Sequence, residues 1–359
     1  MGHQVREINA GDFNAALFHD EIVPAYRPVV IRGLVRDWPV TRAAAEGGEA
    51  LAAYLKRFDG GLPVATKTAP AAVNGRFAYD AAMTGFNYHK ERMTVSDALD
   101  RLVALSTEES PPAFAIQSAR ARRYFPGFQR ENRLPVLPDS VAARLWIGNA
   151  VTVAAHYDTT ENIACCVAGR RRFTLFPPSQ ARGLYPGPFE LTPAGPIVSM
   201  VDFEKPDLDR FPLFAEAMAA SLVAELEPGD ALYIPYLWWH HVRSLERINL
   251  LVNFWWKVSG STHEFGSEAL LLAMMAIKNL PESRRDAWRA LFGHYVFGDD
   301  GAPGAHLPPA RRGVQGEISA EEAARLRAEI ARKLAPRPEP AHPVASRLRR
   351  LAHRLAWRR

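Results

Sequence analysis

Residues 151–178 read VTVAAHYDTTENIACCVAGRRRFTLFPP, and the rest of the chain is interpreted outward from this stretch. It contains His156 and Asp158, an apolar run, a turn at Gly169, three arginines and the strand-like letters FTLF. Because alternate residues of a strand point to the same face, an imidazole and a carboxylate can converge on one point here. Two protein ligands are too few for a tight catalytic metal site, so the pattern predicts a third ligand elsewhere.

The third ligand is found in residues 227–257, which read EPGDALYIPYLWWHHVRSLERINLLVNFWWK. The letters PGD indicate a turn and ALYIP a strand, after which WWHHV places His240 and His241 in an apolar setting. Two histidines and one carboxylate form the facial triad of non-haem Fe(II) oxygenases, with positions left open for a co-substrate and O2. Either motif alone also fits a core histidine bonded to a nearby aspartate; the combination favours a metal site.

With these motifs in view, the chain resembles the JmjC and cupin-like 2-oxoglutarate oxygenases, and most closely the asparaginyl hydroxylase that inhibits hypoxia-inducible factor. The resemblance is carried by HYD, GRRRFTLFPP, LYP, the DLDRFP loop, GDALYIPYLWWHHV, VNFWWK and, near the start, PVVIRGLVRDWP. It covers roughly residues 10–258. It implies an α+β fold built on a double-stranded β-helix, or jelly roll, of the cupin and JmjC type. The jelly-roll core would span about residues 144–258, with N-terminal helices beside it and a helical C-terminal extension after it.

The resemblance implies that His156, Asp158 and His240 are the catalytic ligands of Fe(II), with 2-oxoglutarate and O2 as co-substrates. Strand counting cannot choose between His240 and His241, because bulges near active sites disturb alternation. The family's last ligand matches the first histidine of the pair, which leaves His241 outside the ligand set.

The resemblance also implies a cation for the far carboxylate of 2-oxoglutarate. In the family this is a lysine two residues after the glycine, and the matching residue here is Arg171, which can bind a carboxylate through a bidentate fork. Alternation predicts that Arg171 shares a face with Phe173, opposite Arg170 and Arg172. The alternative is that all three arginines are solvated at the start of a strand.

Three further residues match positions of the family's co-substrate pocket: Asn162, Asn253 and Trp255. Two other positions depart from the family. Val153 stands where the family has a threonine, and Phe114, by a looser alignment, where it has a tyrosine. Both departures remove a hydroxyl that could bond the co-substrate.

Composition describes an ordinary globular protein, with 48% hydrophobic and 23% charged residues among 359. The two cysteines are adjacent, so their side chains point to opposite faces of a strand and form neither a disulfide nor a zinc site. The first residues contain no apolar signal sequence, and no run of eighteen apolar residues occurs. These features predict a cytoplasmic protein.

Positive charge is concentrated near the end of the chain, although the isoelectric point is 9.3. Residues 310–359 contain thirteen Lys and Arg against five Asp and Glu, so the first 309 residues hold 31 basic and 34 acidic groups. A nearly neutral body argues against a nucleic-acid partner. Residues 342–359 show a basic amphipathic pattern, which binds anionic membranes or acidic partners in some proteins; a solvated helix is the favoured interpretation.

Periodicity predicts helices near residues 43–58, 94–105 and 262–297, and one over residues 318–334 opened by Ser319. The predicted organisation is an oxygenase domain over residues 1–258, a helical region over 259–335 and a basic tail over 336–359. The apolar residues of the first C-terminal helix nearly encircle it, which suggests one face buried against the barrel and another against a partner. The resemblance adds a homodimer formed by C-terminal helices.

The sequence therefore predicts a dioxygenase that hydroxylates a side chain of a protein or peptide. A small-molecule substrate and lysine demethylation are alternative enzymatic interpretations. The non-enzymatic alternative is a cupin-like binding module, against which the intact set of three ligands argues.

Overall fold

The computed structural model describes residues 2–193, 195–257 and 266–335. The strands are β1 (His3–Gln4), β2 (Arg6–Asn9), β3 (Val29–Arg32), β4 (Val64–Ala69), β5 (His89–Met93), β6 (Ala113–Arg120), β7 (Ala143–Gly148), β8 (Thr152–His156), β9 (Glu161–Ala168), β10 (Arg171–Phe176), β11 (Leu222–Leu226), β12 (Ala231–Ile234), β13 (Trp239–Ser244) and β14 (Asn249–Trp256). The α-helices are α1 (Pro39–Ala45), α2 (Gly48–Lys56), α3 (Val95–Leu105), α4 (Ala121–Tyr124), α5 (Phe128–Glu131), α6 (Phe214–Ala219), α7 (Gly266–Ile277), α8 (Glu282–Phe292) and α9 (Ala320–Leu334). Short 3-10 and π-helical turns lie at Ala10–Asp12, Leu17–Ile22, Ala71–Val73, Pro178–Gln180, Gly293–Phe297, Pro309–Arg311 and Gly313–Gln315.

In the part of the chain that the structure describes, the strands form two sheets. The smaller has the order β1-β11-β10-β13-β8 and the larger the order β2-β3-β12-β9-β14-β7-β6-β4-β5. One apolar cluster takes side chains from both, including Phe173 and Leu175 of the smaller sheet and Ala164 and Leu232 of the larger. The sheets therefore face each other across a shared core, which confirms the predicted jelly-roll fold with flanking helices.

Strand β9 is an interior strand of the larger sheet, between β12 and β14, and is buried on both faces. Ile163 and Cys165 point to the outer cluster under the helices, whereas Ala164 and Cys166 point to the core between the sheets. The two cysteines are free and fully buried on opposite faces, as alternation predicted. A strand covered on both sides reads as a continuous apolar run, and the letters IACCVA do so.

Helices α2 and α3 cover the outer face of the larger sheet. Leu55 of α2 and Leu99 and Leu102 of α3 are buried there, each contributing about 1.5–3 kcal/mol through removal of apolar surface from water. Helix α3 matches the prediction for residues 94–105, and the Thr94 side chain accepts a hydrogen bond from the Asp97 backbone N–H at 3.0 Å.

The single helix predicted near residues 43–58 is wrong, because the structure has α1 and α2 with a break between them. Gly47 stands at the break with φ of +123°, a backbone conformation that side-chain-bearing residues rarely adopt. The adjacent glycines Gly47 and Gly48 are the local sequence signal for this break.

The segment at residues 184–214 covers the outer face of the smaller sheet. Leu184, Val201, Phe211 and Phe214 are buried against Trp239 of β13 in a third apolar cluster. This packing holds the long connection between β10 and β11 in place.

Lys67 of β4 contacts β6, the residue before β5 and the connection between β10 and β11. Its Nζ donates hydrogen bonds to Gln117 Oε1 at 2.6 Å and to the Pro193 carbonyl at 2.8 Å, and it lies 4.7 Å from the ring centroid of Tyr88. Burial, together with the charge of Lys90, lowers the pKa of Lys67 to about 8.

Residue contacts divide the chain into a unit of residues 1–259 and a unit of residues 260–359. In the second unit, α7 has no buried side chain among the described residues, and Met275 is 70% exposed. The predicted burial of one face of this helix against the barrel stays a prediction. Helix α9 begins at Ser319 with a capping box in which Ser319 and Glu322 bond each other's backbone, as predicted. The predicted amphipathic segment at residues 342–359 lies outside the described residues. Within those residues, no helix is both long and apolar enough to cross a membrane.

Candidate metal centre

The side chains of His156, Asp158 and His240 line one cavity between the two sheets. One candidate ligand atom from each lies within 4.8 Å of the other two. The imidazole ring centroids are 4.3 Å apart, and His240 Nε2 lies 3.6 Å from Asp158 Oδ2. Among the described residues, no other group of three His, Cys, Asp or Glu side chains converges in this way.

Backbone carbonyls fix the orientation of both imidazoles. His156 Nδ1 lies 2.9 Å from the Ala154 carbonyl, and His240 Nδ1 lies 3.1 Å from the Trp238 carbonyl. A carbonyl can only accept, so Nδ1 carries a proton in each ring, and in the neutral form of the ring Nε2 keeps its lone pair. Each histidine therefore presents the nitrogen that a metal would bind, held by the kind of outer hydrogen bond that orients metal ligands.

A bulge in β8 determines where His156 points. Val153 pairs with Val242 and His156 pairs with His240, so two residues of β8 lie opposite one residue of β13. If the side chains alternated regularly from Val153, His156 would face away from the cavity. The extra residue of the bulge turns His156 back toward the cavity. Asp158 lies beyond the end of the strand, so the predicted convergence is present but strand alternation is not its cause.

The carboxylate of Asp158 lacks a partner for one buried oxygen. Asp158 Oδ2 makes no hydrogen bond with any described residue. Burial, and then the charge of His156, lowers the pKa of His240 to about 4 against the opposing effect of Asp158. His240 is thus neutral near pH 7, and a neutral imidazole is the form that binds a metal.

This donor set fits a divalent metal such as Fe(II). Two imidazole nitrogens and one carboxylate oxygen are the facial-triad ligands, and a cation would give the orphaned Asp158 oxygen a partner. A buried carboxylate with no cation or donor is costly, which is a physical reason for a metal at this point.

His241 lies on the opposite face of β13 from His240. Its ring stacks on Phe203 with centroids 4.4 Å apart and planes 14° apart. Burial, followed by the charges of Arg76 and Arg243, lowers the pKa of His241 to about 3. The structure therefore brings His240, and not His241, to the other two candidate ligands.

Asn162, Asn253 and Trp255 line the same cavity as the candidate ligands. Trp146 Nε1 donates to Asn253 Oδ1 at 2.8 Å, and Asn253 Nδ2 donates to Asn162 Oδ1 at 3.2 Å. The Trp255 Nε1 is buried without a hydrogen-bond partner among the described residues. This line of polar groups could bind the oxygens of a small ligand in an otherwise apolar cavity.

Arg171 is buried in the cavity with 5% of its surface exposed. Its Nη2 donates to the Trp146 carbonyl at 3.3 Å, and its Nε has no hydrogen-bond partner among the described residues. Burial lowers the pKa of Arg171 to about 10, which leaves it charged near pH 7. In contrast, Arg170 and Arg172 are exposed and pair with Glu246 and Glu225. The predicted alternation is confirmed, and the buried arginine carries a charge that a carboxylate ligand would neutralise.

Of the two positions that depart from the family pattern, Val153 lies in the cavity and Phe114 does not. Val153 lines the cavity and presents a methyl surface there. Phe114 is buried in the cluster on the outer face of the larger sheet, where the Arg101 guanidinium lies 4.8 Å from its ring centroid. The prediction that Phe114 belongs to the pocket is therefore wrong, because it points to the helix-covered side of β6.

Sequence reasoning missed Trp146, which lines the cavity and bonds Asn253. The signal was present in β7, where ARLWIG alternates and gives Arg144 and Trp146 one face. Whether that face meets the cavity depends on the pairing of β7 with β14, which is a tertiary feature.

A larger cavity, of about 500 Å³, lies beside α4 and α5. It is lined by Arg122, Arg130 and Arg133, and its carboxylate, Asp139, is already paired with Arg133. Because no set of metal ligands converges there among the described residues, size alone does not make it the better candidate site.

Comparison with known proteins gives a match to the cupin-like domain family over residues 15–262. Lysine-specific demethylase 8 of Danio rerio is 29% identical over 247 residues, covering 67% of this chain and 55% of the relative. Jumonji C domain-containing protein 5 of Drosophila melanogaster is 26% identical over 252 residues, covering 67% and 57%. tRNA wybutosine-synthesizing protein 5 of Mus musculus is 34% identical over 146 residues, covering 36% and 43%. The chain spans about half the length of the curated relatives it matches.

Proposed function

The chain belongs to the cupin-like domain family, and on that basis we propose that it is an Fe(II)- and 2-oxoglutarate-dependent dioxygenase that hydroxylates a side chain of a protein or peptide. One observation carries the proposal. The cavity that brings His156, Asp158 and His240 together also contains Arg171, a buried cation with no acidic partner among the described residues.

The bound groups would supply the oxidation: one atom of O2 enters a C–H bond of the substrate, the other enters succinate, and 2-oxoglutarate loses CO2. The protein would hold and orient the reactants. His156 and His240 would give two nitrogens and Asp158 one oxygen to the metal. Arg171 would bind the carboxylate of 2-oxoglutarate that lies farther from the metal, through charge-assisted hydrogen bonds.

Apolar side chains line much of the rest of the cavity. Phe173 and Val242 of the smaller sheet face Leu251 and Trp255 of the larger sheet around the candidate ligands. A wall of this kind excludes water, which would otherwise compete for open positions and for the polar groups of the pocket.

A protein or peptide substrate is supported by the motif resemblance to an asparaginyl hydroxylase. Three curated relatives also have names that refer to lysine, and another has a name that refers to tRNA. A metal centre of this kind does not by itself select among these substrate classes, so the preference for a peptide comes from the motif resemblance.

The test is succinate formation by protein loaded with iron under ascorbate and O2, with and without peptides from a cell extract. We expect slow succinate formation alone and faster formation with substrate, together with a product heavier by about 16 Da for one inserted oxygen. The Asp158→Ala variant supplies the background. Succinate no higher than this background, in iron-loaded protein, would favour a cupin-like binding module. Stimulation by small metabolites alone would retain the enzyme and reject the peptide substrate.

Lysine demethylation is the second candidate, favoured by the relatives named lysine-specific demethylase 8. Hydroxylation of an N-methyl group leads to loss of formaldehyde, so the substrate becomes lighter by about 14 Da. Incubation with methylated peptides, read by formaldehyde release and mass, separates this reaction from stable hydroxylation.

A further inference from the structure

A row of four residues crosses the larger sheet toward the candidate metal centre. Arg120 of β6 pairs with Arg144 of β7, Arg144 pairs with Asn253 of β14, and Asn253 pairs with Ala164 of β9. Side chains directly opposite each other in antiparallel strands point to the same face. Asn253 and Ala164 line the cavity, so both arginines lie on the cavity face of the sheet.

Burial increases along this row from solvent to cavity. Arg120 is exposed, Arg144 is half-buried, and Asn253 and Ala164 are buried. The Arg144 guanidinium lies over the ring of Trp255 at 4.7 Å from its centroid, and Trp255 is itself part of the cavity wall. Arg144 therefore stands at the rim of the cavity, one strand farther out than Asn253.

Arg144 is held in place by a distorted part of β6. Its Nη1 donates to Ser118 Oγ at 2.9 Å. Ser118 has φ of +57°, and the pairing of β6 with β7 shifts between Ile116 and Ala119. A non-glycine residue in the left-handed region costs energy and occurs more often at functional sites, and a bulge there re-aims the side chains around it.

The two arginines of the row have no acidic partner. Within the described residues, no carboxylate lies at ion-pair distance from Arg120 or Arg144, and the hydrogen-bond partner of Arg144 is a neutral hydroxyl. Burial and the charge of Arg120 lower the pKa of Arg144, with Asp158 acting in the opposite direction. Asp158 is a candidate metal ligand, so its charge would be taken up by the metal.

We propose that Arg144, with Arg120 beside it, binds a carboxylate of the peptide substrate, and that the substrate is an acidic peptide. This inference rests on the function proposed above. With Nη1 bonded to Ser118, the Nε and Nη2 edge of Arg144 can bind a carboxylate through two parallel hydrogen bonds. Stacking on Trp255 fixes the plane of the guanidinium and so the direction from which the acid must approach. Arg171, in contrast, lies within the cavity on the facing sheet and is assigned to the co-substrate.

The experiment measures peptide binding without turnover. Protein loaded with Mn(II) and 2-oxoglutarate in the absence of O2 is incubated with three pools of short random peptides. The pools are matched in length and contain Asp and Glu, Asn and Gln, or Lys and Arg at the same positions. Retained peptides are quantified by mass spectrometry for the wild type and for the variants Arg144→Gln, Arg144→Glu and Arg120→Gln. The control variant is Arg6→Gln, which removes an exposed arginine from β2 at the far edge of the same sheet.

We expect the wild type and Arg6→Gln to retain the acidic pool about tenfold or more over its amide counterpart, as charge-assisted hydrogen bonds predict. Arg144→Gln should lose this preference, Arg144→Glu should invert it toward the basic pool, and Arg120→Gln should reduce it. Inversion by Arg144→Glu also shows that the variant is folded and presents the site. An acidic preference that persists in Arg144→Gln, or no preference in the wild type, would overturn the inference. Retention of an RNA oligonucleotide pool that depends on Arg144, without peptide preference, would also overturn it.

Succinate formation by the same wild-type protein, measured after O2 is admitted, separates the two proposals. If the wild type forms succinate but shows no preference for the acidic peptides, the inference of an acidic substrate is wrong and the oxygenase proposal is kept. An Arg144-dependent acidic preference without succinate would support acidic-peptide binding and remove the oxygenase.

Discussion

Asp158 and Arg171 place two opposite charges in one cavity without joining them. Asp158 Oδ2 has no hydrogen-bond partner among the described residues, and Arg171 donates to the carbonyl of Trp146. A salt bridge between the two side chains would neutralise both and leave neither for a ligand. Held apart, the carboxylate can take a cation and the guanidinium an anion. A divalent metal and a dicarboxylate are thus complementary to the same cavity at two different points.

The adjacent histidines allow a matched test of the metal centre. Replacing His156, Asp158 or His240 by Ala should lower the affinity for Fe(II) by at least the roughly 10–100-fold that loss of an outer-shell partner costs, because each change removes a ligand. His241→Ala should change it much less, because His241 stacks on Phe203 on the other face of β13. Metal content after oxygen-free loading, measured by elemental analysis, checks this. Equal losses at His240 and His241, or full occupancy in Asp158→Ala, would show that the ligand set is different.

The three consecutive arginines provide a second matched set. Arg171→Ala should weaken 2-oxoglutarate binding by about 1.5–3 kcal/mol, the range for hydrogen bonds to charged groups, and metal binding should persist. Arg170→Ala is the control, because Arg170 is exposed and pairs with Glu246. Calorimetric titration of 2-oxoglutarate into Mn(II)-loaded protein gives both affinities. An Arg171→Ala variant with wild-type affinity would mean that the far carboxylate binds elsewhere.

At the scale of elements, Lys67 connects β4, β6 and the segment before Val198 through a buried ammonium group. Its folded pKa of about 8 lies below the unfolded value of 10.5, so between these values the unfolded chain binds more protons. Stability therefore rises with pH in this window. The contribution of Lys67 should increase by about 2 kcal/mol between pH 7 and 9.5.

Urea unfolding at the two pH values measures this contribution. The gain in the free energy of unfolding should be present in the wild type and in Lys205→Met, which replaces an exposed lysine. It should be absent in Lys67→Met. If all three proteins gain the same stability, the buried ammonium group is not its source.

Strand β10 shows what could be predicted from the sequence. Alternation correctly placed Arg171 and Phe173 on one face and Arg172 on the other, because β10 pairs with β11 and β13 without a bulge. Alternation failed in β8, where the bulge before His156 arises from pairing with β13, a strand more than eighty residues away along the chain. A local pattern thus determines which side chains of a regular strand share a face, whereas the position of a bulge depends on the partner strand.

The face of a strand that meets the cavity was harder to predict than the alternation itself. Phe114 was placed in the pocket but points to the helices, and Trp146 was not selected although it lines the cavity. Both lie on strands that enter the larger sheet before the two metal motifs in sequence. Their orientation follows from the order β14-β7-β6, which no local pattern contains.

At the scale of the whole molecule, the net charge of the chain does not predict the charge around the candidate site. The chain has a formal net charge of +5, and residues 1–309 together hold 31 basic and 34 acidic groups. Yet three arginines, at positions 120, 144 and 171, lie in or beside the cavity without an acidic partner among the described residues. The absence of a nucleic-acid partner and the homodimer both remain predictions.

Every candidate site residue lies in the unit of residues 1–259. A chain that ends at residue 335 should therefore bind Fe(II) with the same stoichiometry as the full chain and unfold at the same temperature. Metal analysis and a thermal melt, with the full chain at equal concentration as the control, check this. Loss of soluble, metal-binding protein would show that residues 336–359 are needed by the folded body.

The buried cysteines of β9 have a practical consequence. Burial raises the pKa of both Cys165 and Cys166, so neither offers a thiolate to an alkylating reagent in the folded protein. A cysteine introduced on the surface, for example by Arg120→Cys, would be the reactive thiol to which a dye or spin label attaches, with no need to remove the native pair. In the unmodified chain, the appearance of two reactive thiols would report directly that β9 has opened.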